Sequence, residues 1–342
     1  MDGPMVRPKR STAAHVIGCT LICAAASGNL RAQEGSAASG ARQSLEDAWW
    51  TGPILAAGAN TLPTGHFLVE PYVYDVIGQG RYDNDGSHHG ASHSHAYGSL
   101  TYVVYGLMDD VSIGVIPRFG YSSGPGDGSR VGLGDFMIQG QYRFARFREG
   151  SRVPTLSVVL AETLPTGRYD RLGTRPREGL GSGAYTTTLS LYSQYFLWMP
   201  NGRILRTRLN VSYSISDSVG LVGVSVYGTG AGFRGHARPG QAFLIDSAWE
   251  YSLTRKWVMA LDIAYQHNAS TALRGLDSPL SGAAVATAVR ADSAPSEAVN
   301  LAPAIEYNWS DRMGVIVGAI VVPSGRNSGD NVTPVAAVNM VF

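Results

Sequence analysis

Cysteine is scarce in this chain of 342 residues: Cys19 and Cys23 are the only two. Both fall in an N-terminal segment that reads as an export signal. Arg7, Lys9 and Arg10 form its positive end, and STAAHVIGCTLICAAASG (11–28) its small-residue apolar core. LRA (30–32) places cleavage before Gln33, with AAA (24–26) as a second site; VIGC (16–19) also resembles a lipoprotein box, behind a short apolar run that holds His15. Loss of residues 1–32 leaves no cysteine, which excludes disulfides, thiol catalysis and a Cys–zinc site. Charge is scarce too, at 15% of residues. The leader takes Arg7, Lys9, Arg10, Arg31 and Asp2 with it, so the exported chain is near neutral and offers no basic field to nucleic acid. Long apolar runs are missing as well. No stretch of 18 apolar residues occurs, so no helix is expected to span a membrane.

What is present is glycine, 42 residues of it, and alternation. In KWVMALDIAYQHN (256–268), Trp257, Met259, Leu261, Ile263 and Tyr265 share one face, and Ala260, Asp262, Ala264 and Gln266 the other. Period two separates these sets across a strand. The same holds at 204–216, 242–253 and 298–309. Twelve strands are predicted, near 67–77, 96–107, 111–121, 131–147, 154–165, 184–198, 203–216, 241–253, 256–268, 298–309, 312–322 and 332–342.

The connections alternate in length. Short ones cover 108–110, 148–152, 199–202, 254–255 and 310–311; long ones cover 78–95, 122–130, 166–183, 217–240, 269–297 and 323–331. Short turns at one rim and long loops at the other are the asymmetry of a bacterial outer-membrane barrel. The expected fold is therefore all-β, a transmembrane antiparallel up-and-down β-barrel of about 12 strands. Residues 1–32 are the signal peptide, 33–66 a periplasmic lead-in or a plug, and 67–342 the barrel. A soluble β-sandwich would also alternate, but it needs neither twelve apolar faces in succession nor segregated loop lengths. Aromatics beside the short turns (Tyr105, Phe144, Trp198, Tyr251, Trp257, Tyr307, Trp309) read as an interfacial girdle. The chain ends VAAVNMVF, and a terminal strand closing on Phe342 resembles the assembly signal of outer-membrane barrels.

VGLGDFMIQGQYRF (131–144), LAETLPTGRYDRLGT (160–174), LGSGAYTTTLSLYSQYF (180–196) and YGLMDDVSIGVIPRFGY (105–121) resemble the outer-membrane family labelled as the MetA pathway of phenol degradation. The resemblance covers roughly 60–342 and is most specific over 131–196. It implies an outer-membrane channel for small, apolar or aromatic solutes, without catalytic residues or cofactor. The His-rich stretch 87–95 departs from the pattern.

The polar strand faces collect Glu70, Arg118, Asp135, Gln139, Gln141, Arg143, Arg206, Arg208, Asp246, Glu250, Asp262 and Glu306. Charge on a lipid face is costly, so these residues should line the lumen, either as a solute path or as an ionic network filling the barrel. SHHGASHSH carries His88, His89, His93 and His95, a candidate metal-binding tract or a solvated loop. His66 and His267 lie at strand ends without a serine motif, which leaves a lipid-active enzyme as a minor alternative. AWWTGPIL (48–55) either plugs the lumen on Trp49 and Trp50 or packs beneath the barrel; its place ahead of the first strand favours the second. A non-conducting surface barrel, with loops 217–240 and 269–297 as its binding surface, is the other alternative. The expected partners are outer-membrane lipid and lipopolysaccharide, the barrel-assembly machinery and a small solute. TLPTG occurs at 61–65 and 163–167, with VPSG at 322–325 as a looser echo; Pro and Gly there should stop strand pairing at the rims.

Overall fold

A strand in lipid must satisfy every backbone N–H and C=O without water, and an antiparallel sheet does so only by closing on itself. The computed structural model of the protein describes residues 42–124, 127–278 and 285–342. The expected signal peptide, with Cys19 and Cys23, and the beginning of the 33–66 segment lie outside these residues. Twelve strands form the barrel: β1 (Phe67–Tyr82), β2 (His88–Met108), β3 (Val111–Ile116, resuming after Pro117 as Arg118–Gly124), β4 (Phe136–Ala145), β5 (Thr155–Leu164), β6 (Thr186–Trp198), β7 (Ile204–Ser216), β8 (Ala242–Ser252), β9 (Trp257–Asn268), β10 (Ser296–Asn308), β11 (Met313–Arg326) and β12 (Ser328–Val341). Each pairs antiparallel with its neighbours in the chain, and β1 pairs with β12, Leu68 opposite Val341. Phe67 and Phe342 exchange backbone hydrogen bonds of 3.1 and 2.8 Å at this seam.

The barrel is apolar outside and polar within. On β9, Trp257, Met259, Leu261, Ile263 and Tyr265 are exposed, while Val258, Ala260, Asp262 and Ala264 are buried. Trp257, Tyr307 and Trp309 cluster outside the short-turn rim, with ring centroids 4.7 and 5.7 Å apart. Trp198 departs from the expected girdle. It pairs with the buried Ile204 and its Nε1 donates to the Gln43 carbonyl at 2.8 Å, because it stands in the inward phase of β6.

Two hairpins run further than hydrophobic alternation indicates. β1 and β2 stay paired out to Tyr82 and His88; β11 and β12 pair with each other only as far as Val321 and Val332, and their ends beyond, joined through Asn327 at φ 47°, pair with β10 and β1. The expected loops 78–95 and 323–331 are therefore mostly ladder: outside the membrane the backbone hydrogen bonds continue without any need for an apolar face. VPSG (322–325) accordingly lies inside β11 and does not end it, whereas both TLPTG copies stand at strand ends, on opposite rims. The region predicted as one strand over 131–147 is broken. Gly132–Leu133 pairs with Phe119 and Gly120, and Gly134 and Asp135 interrupt it before β4.

At the long-loop rim, Val219–Val222, Phe233–Arg238, Ala272–Asp277 and Thr287–Asp292 form a separate four-stranded antiparallel sheet. One face buries Val219, Leu221, Phe233 and Ala237 with Ala184, against Tyr169 and Tyr227.

The first TLPTG copy seats against Gly106. Gly65 N–H donates to its carbonyl at 2.8 Å, and a Cβ on Gly106 would stand 2.0 Å from the Pro63 carbonyl oxygen. Gly106→Ala is expected to displace residues 61–65 and destabilise the barrel by about 1–3 kcal/mol, the usual cost of overpacking. The heat-modifiable mobility shift of the folded barrel, followed against temperature, measures this.

Candidate functional site

Residues 43–66 have no ladder of their own beyond a single 3₁₀ turn at Leu45–Asp47, so their peptide groups need partners. The barrel wall supplies them in order. Gln43 is fixed at the short-turn rim, where its N–H donates to the Gly202 carbonyl at 3.0 Å and its Oε1 accepts from Ile204 N–H at 3.1 Å. The Glu306 carboxylate then accepts from Thr51 N–H at 2.6 Å and Gly52 N–H at 3.2 Å. The Asp262 carboxylate accepts from Ile54 and Ala56 N–H, both at 3.0 Å. The carbonyls are met by donors: Arg208 on Ala56 at 2.8 Å, Asn210 on Ala57 at 2.9 Å, Gln141 on Gly58 at 3.1 Å, and the Ser157 hydroxyl on Ala59. The segment returns to the short-turn rim where Leu62 N–H meets Ser112 Oγ at 2.9 Å and Thr61 Oγ1 donates to the Asp109 carbonyl at 2.6 Å.

These residues therefore run along inward-facing side chains of the wall; of the two expected placements of 48–55, a plug in the lumen or a lead-in packed beneath the barrel, the contacts fit the first. Asp262 and Asn210 stand at the middle of β9 and β7, so the segment fills the short-turn half of the interior. Small residues make the passage fit. Ala56 and Ala59 are almost wholly buried, and Gly52, at φ 128°, lies so close that a Cβ would stand 3.3 Å from an Arg208 nitrogen. Trp50 stacks on the Arg206 guanidinium at 4.5 Å and Trp49 on Arg255 at 4.6 Å.

The twelve residues expected in the lumen divide by height. Arg206, Arg208 and Glu250 form a buried ionic triad, Arg208 Nε standing 3.0 Å from Glu250 Oε2, with Arg206 bidentate on the same carboxylate. Glu306, Asp262, Gln141 and Arg208 hold the inserted segment. Arg143 reaches the short turn, 2.6 Å from Asp110. Asn339 Nδ2 donates to Glu70 at 3.3 Å. Asp135 belongs to the other rim, where it accepts from Gly167 N–H, Ser182 N–H and the Ser182 hydroxyl and so ties loop 165–185 to the wall. Arg118 follows the Pro117 break, and its Nε has no partner among the described residues. Gln139 lies beside Gly114 in the wall. Asp246 is 1% exposed and neither of its carboxylate oxygens has a partner among the described residues. At the short turn, hydrogen bonds from the Thr64 hydroxyl and amide hold the Asp109 carboxyl below its ordinary range.

Above the inserted segment the lumen has two unlike sides. Tyr72, Tyr102, Leu100, Ile316, Ile320 and Val335 form an apolar, tyrosine-rich cluster that also receives Ile54. Opposite strands carry a hydroxyl ladder, Thr186–Ser216, Thr188–Ser214 and Ser190–Ser212, each pair 2.8 Å apart. Alternation in the sequence already puts Asn210, Ser212, Ser214 and Asn308 on the polar faces of their strands, without a role for them; Ser112, Ser157, Thr186, Thr188, Ser190 and Ser216 carry the same inward phase and no other signal. On the outer wall, a groove of about 590 Å³ runs between Phe67, Tyr105, Ile113, Val115, Ile138 and Leu160. Glu162 closes it at the long-loop end, accepting from Thr187 Oγ1 at 2.6 Å.

The His-rich tract is a strand. His88, His89 and His95 each meet a different carboxylate, Asp330, Asp83 and Asp75, at 2.7, 2.8 and 2.8 Å. The pleat and the pairing partners spread these imidazoles apart, and His93 joins none of the pairs. Among the described residues no three His, Cys, Asp or Glu side chains gather closely enough to hold a metal ion. His66 and His267 lie at opposite ends of the barrel, His66 beside the Thr64 carbonyl and His267 beside Glu297.

Closed pairing, an apolar exterior and a polar interior define a transmembrane β-barrel of the outer-membrane type. The chain belongs to the family described as "Putative MetA-pathway of phenol degradation", which it matches over residues 57–332. Among solved structures it is similar to the COG4313 outer membrane channel from Pseudomonas putida F1, with a TM-score of 0.65 and 14% identity over 84% of this chain and 100% of that one. Weaker similarities include the translocator domain of the autotransporter NalP from Neisseria meningitidis (TM-score 0.42, 10% identity, 82% of this chain and 90% of that one). The Pseudomonas putida toluene transporter TodX is a further one (TM-score 0.34, 12% identity, 88% and 96%). Neither of these two bears on function. No curated protein matches the chain.

Proposed function

We propose that the protein is an outer-membrane channel for small apolar or aromatic solutes, closed from the periplasmic side by its own N-terminal segment. The observation that carries this reading is the inserted segment 49–62, held from both sides by inward-facing side chains of the strands. A barrel that only displayed its loops would have no use for a lumen blocked to mid-height and left two-sided above. Tyrosine faces and aliphatic side chains on one side, with hydroxyls on the other, suit an aromatic ring bearing one polar group. Family membership and likeness in fold to an outer-membrane channel support the same reading. The solute descends from the extracellular rim to the segment, which must shift for it to pass. Glu306, Asp262, Arg206, Arg208 and Glu250 are engaged with the segment or with one another, and Asp246 is buried, so the reading assigns solute contact to the neutral residues above them. The reading requires no chemistry in the lumen.

The test is uptake. Cells carrying the protein are expected to take up radiolabelled phenol or toluene faster than cells lacking it. Cells carrying a variant with the segment covalently fixed to the wall should fall to the rate of cells without the protein. Equal uptake with and without the protein would sink the transport reading.

A further inference from the structure

The four-stranded loop sheet has a second face, opposite the buried one. It carries Arg234, His236 and Arg238 on one strand, Arg274 on the next and Arg290 on the edge, the first three exposed and Arg290 exposed as well. Pairing sets His236 directly opposite Arg274, and Arg274 directly opposite Arg290. Basic residues in one cross-strand row repel, and such rows destabilise a sheet unless an anion answers them. Asp292 answers one, 2.7 Å from Arg274. Among the described residues no carboxylate lies within ion-pair distance of Arg234, Arg238 or Arg290.

The position of this face narrows the anion. A cavity of about 490 Å³ lies between the sheet and the end of β7, bordered by His236, Arg238 and Arg274 on one side and by Ile215 on the other, with Asp217 as its one acidic wall. Ile215 is 54% exposed and continues the lipid-facing stripe of Leu209 and Tyr213. Cationic and apolar walls thus meet at one cavity, where the exposed apolar stripe of β7 ends. Free phosphate would use only the first wall, whereas a phosphorylated lipid uses both. Guanidinium groups match phosphate oxygens two at a time, which suits the arginines here better than a diffuse field would.

We propose that this face, around Ile215, His236, Arg238 and Arg274, binds the phosphorylated headgroup of a lipopolysaccharide in the outer leaflet, with an acyl chain along Ile215 and Tyr213. The contact clamps the loop sheet to the membrane surface. It rests on the barrel's place in an outer membrane and is independent of whether a solute passes the lumen.

The experiment uses the full-length barrel in detergent, with rough lipopolysaccharide as the probe and native mass spectrometry and thermal unfolding as readouts. Phosphorylated lipopolysaccharide should bind about tenfold more tightly than the same preparation after phosphatase treatment, the change expected when one or two charge-assisted contacts are lost. R238Q/R290Q should lose about tenfold in affinity for the phosphorylated form, and R238Q alone should lose part of that. Heat-modifiable mobility checks that both variants are folded; both positions are exposed, and neither takes part in the lumen. Inorganic phosphate at millimolar concentration should leave the bound lipid in place. Equal binding after phosphatase treatment, unchanged binding by the folded variants, or full displacement by inorganic phosphate would each overturn the proposal.

Discussion

Replacing Asp262 and Glu306 together with alanine is expected to raise the single-channel conductance of the barrel several-fold. Each carboxylate accepts two backbone N–H groups of the inserted segment. Hydrogen bonds to a charged partner contribute about 1.5–3 kcal/mol each, and a change of about 5.5 kcal/mol moves a two-state equilibrium from one side to the other. Losing all four contacts is therefore expected to shift the segment toward release against the remaining bonds from Arg208, Asn210, Gln141 and Ser157. The amide pair D262N/E306Q retains an acceptor oxygen at each position and should stay close to wild type, which separates loss of the anchor from loss of charge. Planar-bilayer recording measures both, with a chain lacking residues 43–60 as the reference for an open lumen. Wild-type conductance from D262A/E306A, beside a high conductance from the deletion, would show that other contacts hold the segment.

The second large effect is on stability. Glu250 is fully buried between Arg206 and Arg208. Glu250→Ala leaves two guanidinium groups without their shared carboxylate, and breaking a buried pair in this way costs about 3–5 kcal/mol. Apolar replacement of all three residues removes the charges with the pair and should cost less. Equilibrium unfolding in urea, monitored by tryptophan fluorescence, should show a lower midpoint for E250A than for R206M/R208M/E250L. Equal midpoints for wild type and E250A would mean that the triad adds nothing to stability. Because Arg208 also donates to Ala56, the triple variant should loosen the inserted segment as well, so the conductance and unfolding measurements are best made on the same proteins.

The barrel was legible in the chain because its determinants are local. Side chains on a strand alternate with period two, lipid admits only apolar residues on one face, and turns at one rim are short. Residues 257–265 show the whole rule in nine positions. The inward phase of Asp262, Glu250 and Glu306 followed from it directly. The hairpin extensions were missed because beyond the membrane the ladder persists on backbone hydrogen bonds alone, which residues such as those of HHGASHSH permit without advertising. Trp198 was misplaced for a related reason: aromatic character at a rim says nothing about which face it belongs to when the floor of the lumen also needs covering.

By itself, then, the sequence determined the strand number, the inward or outward phase along most strands and the rim that carries the short turns. Tertiary structure alone decided what the inward charges are for. Whether Glu306 lines a path or holds a peptide depends on Thr51 and Gly52, more than 250 positions away in the chain and brought to it only when the barrel closes around them. The segment 49–62 has no periodicity to read, because its backbone is satisfied by side chains of distant strands and not by its own neighbours. The basic row on the loop sheet arose in the same way: His236, Arg274 and Arg290 are scattered in the chain and become adjacent only through the register of three strands.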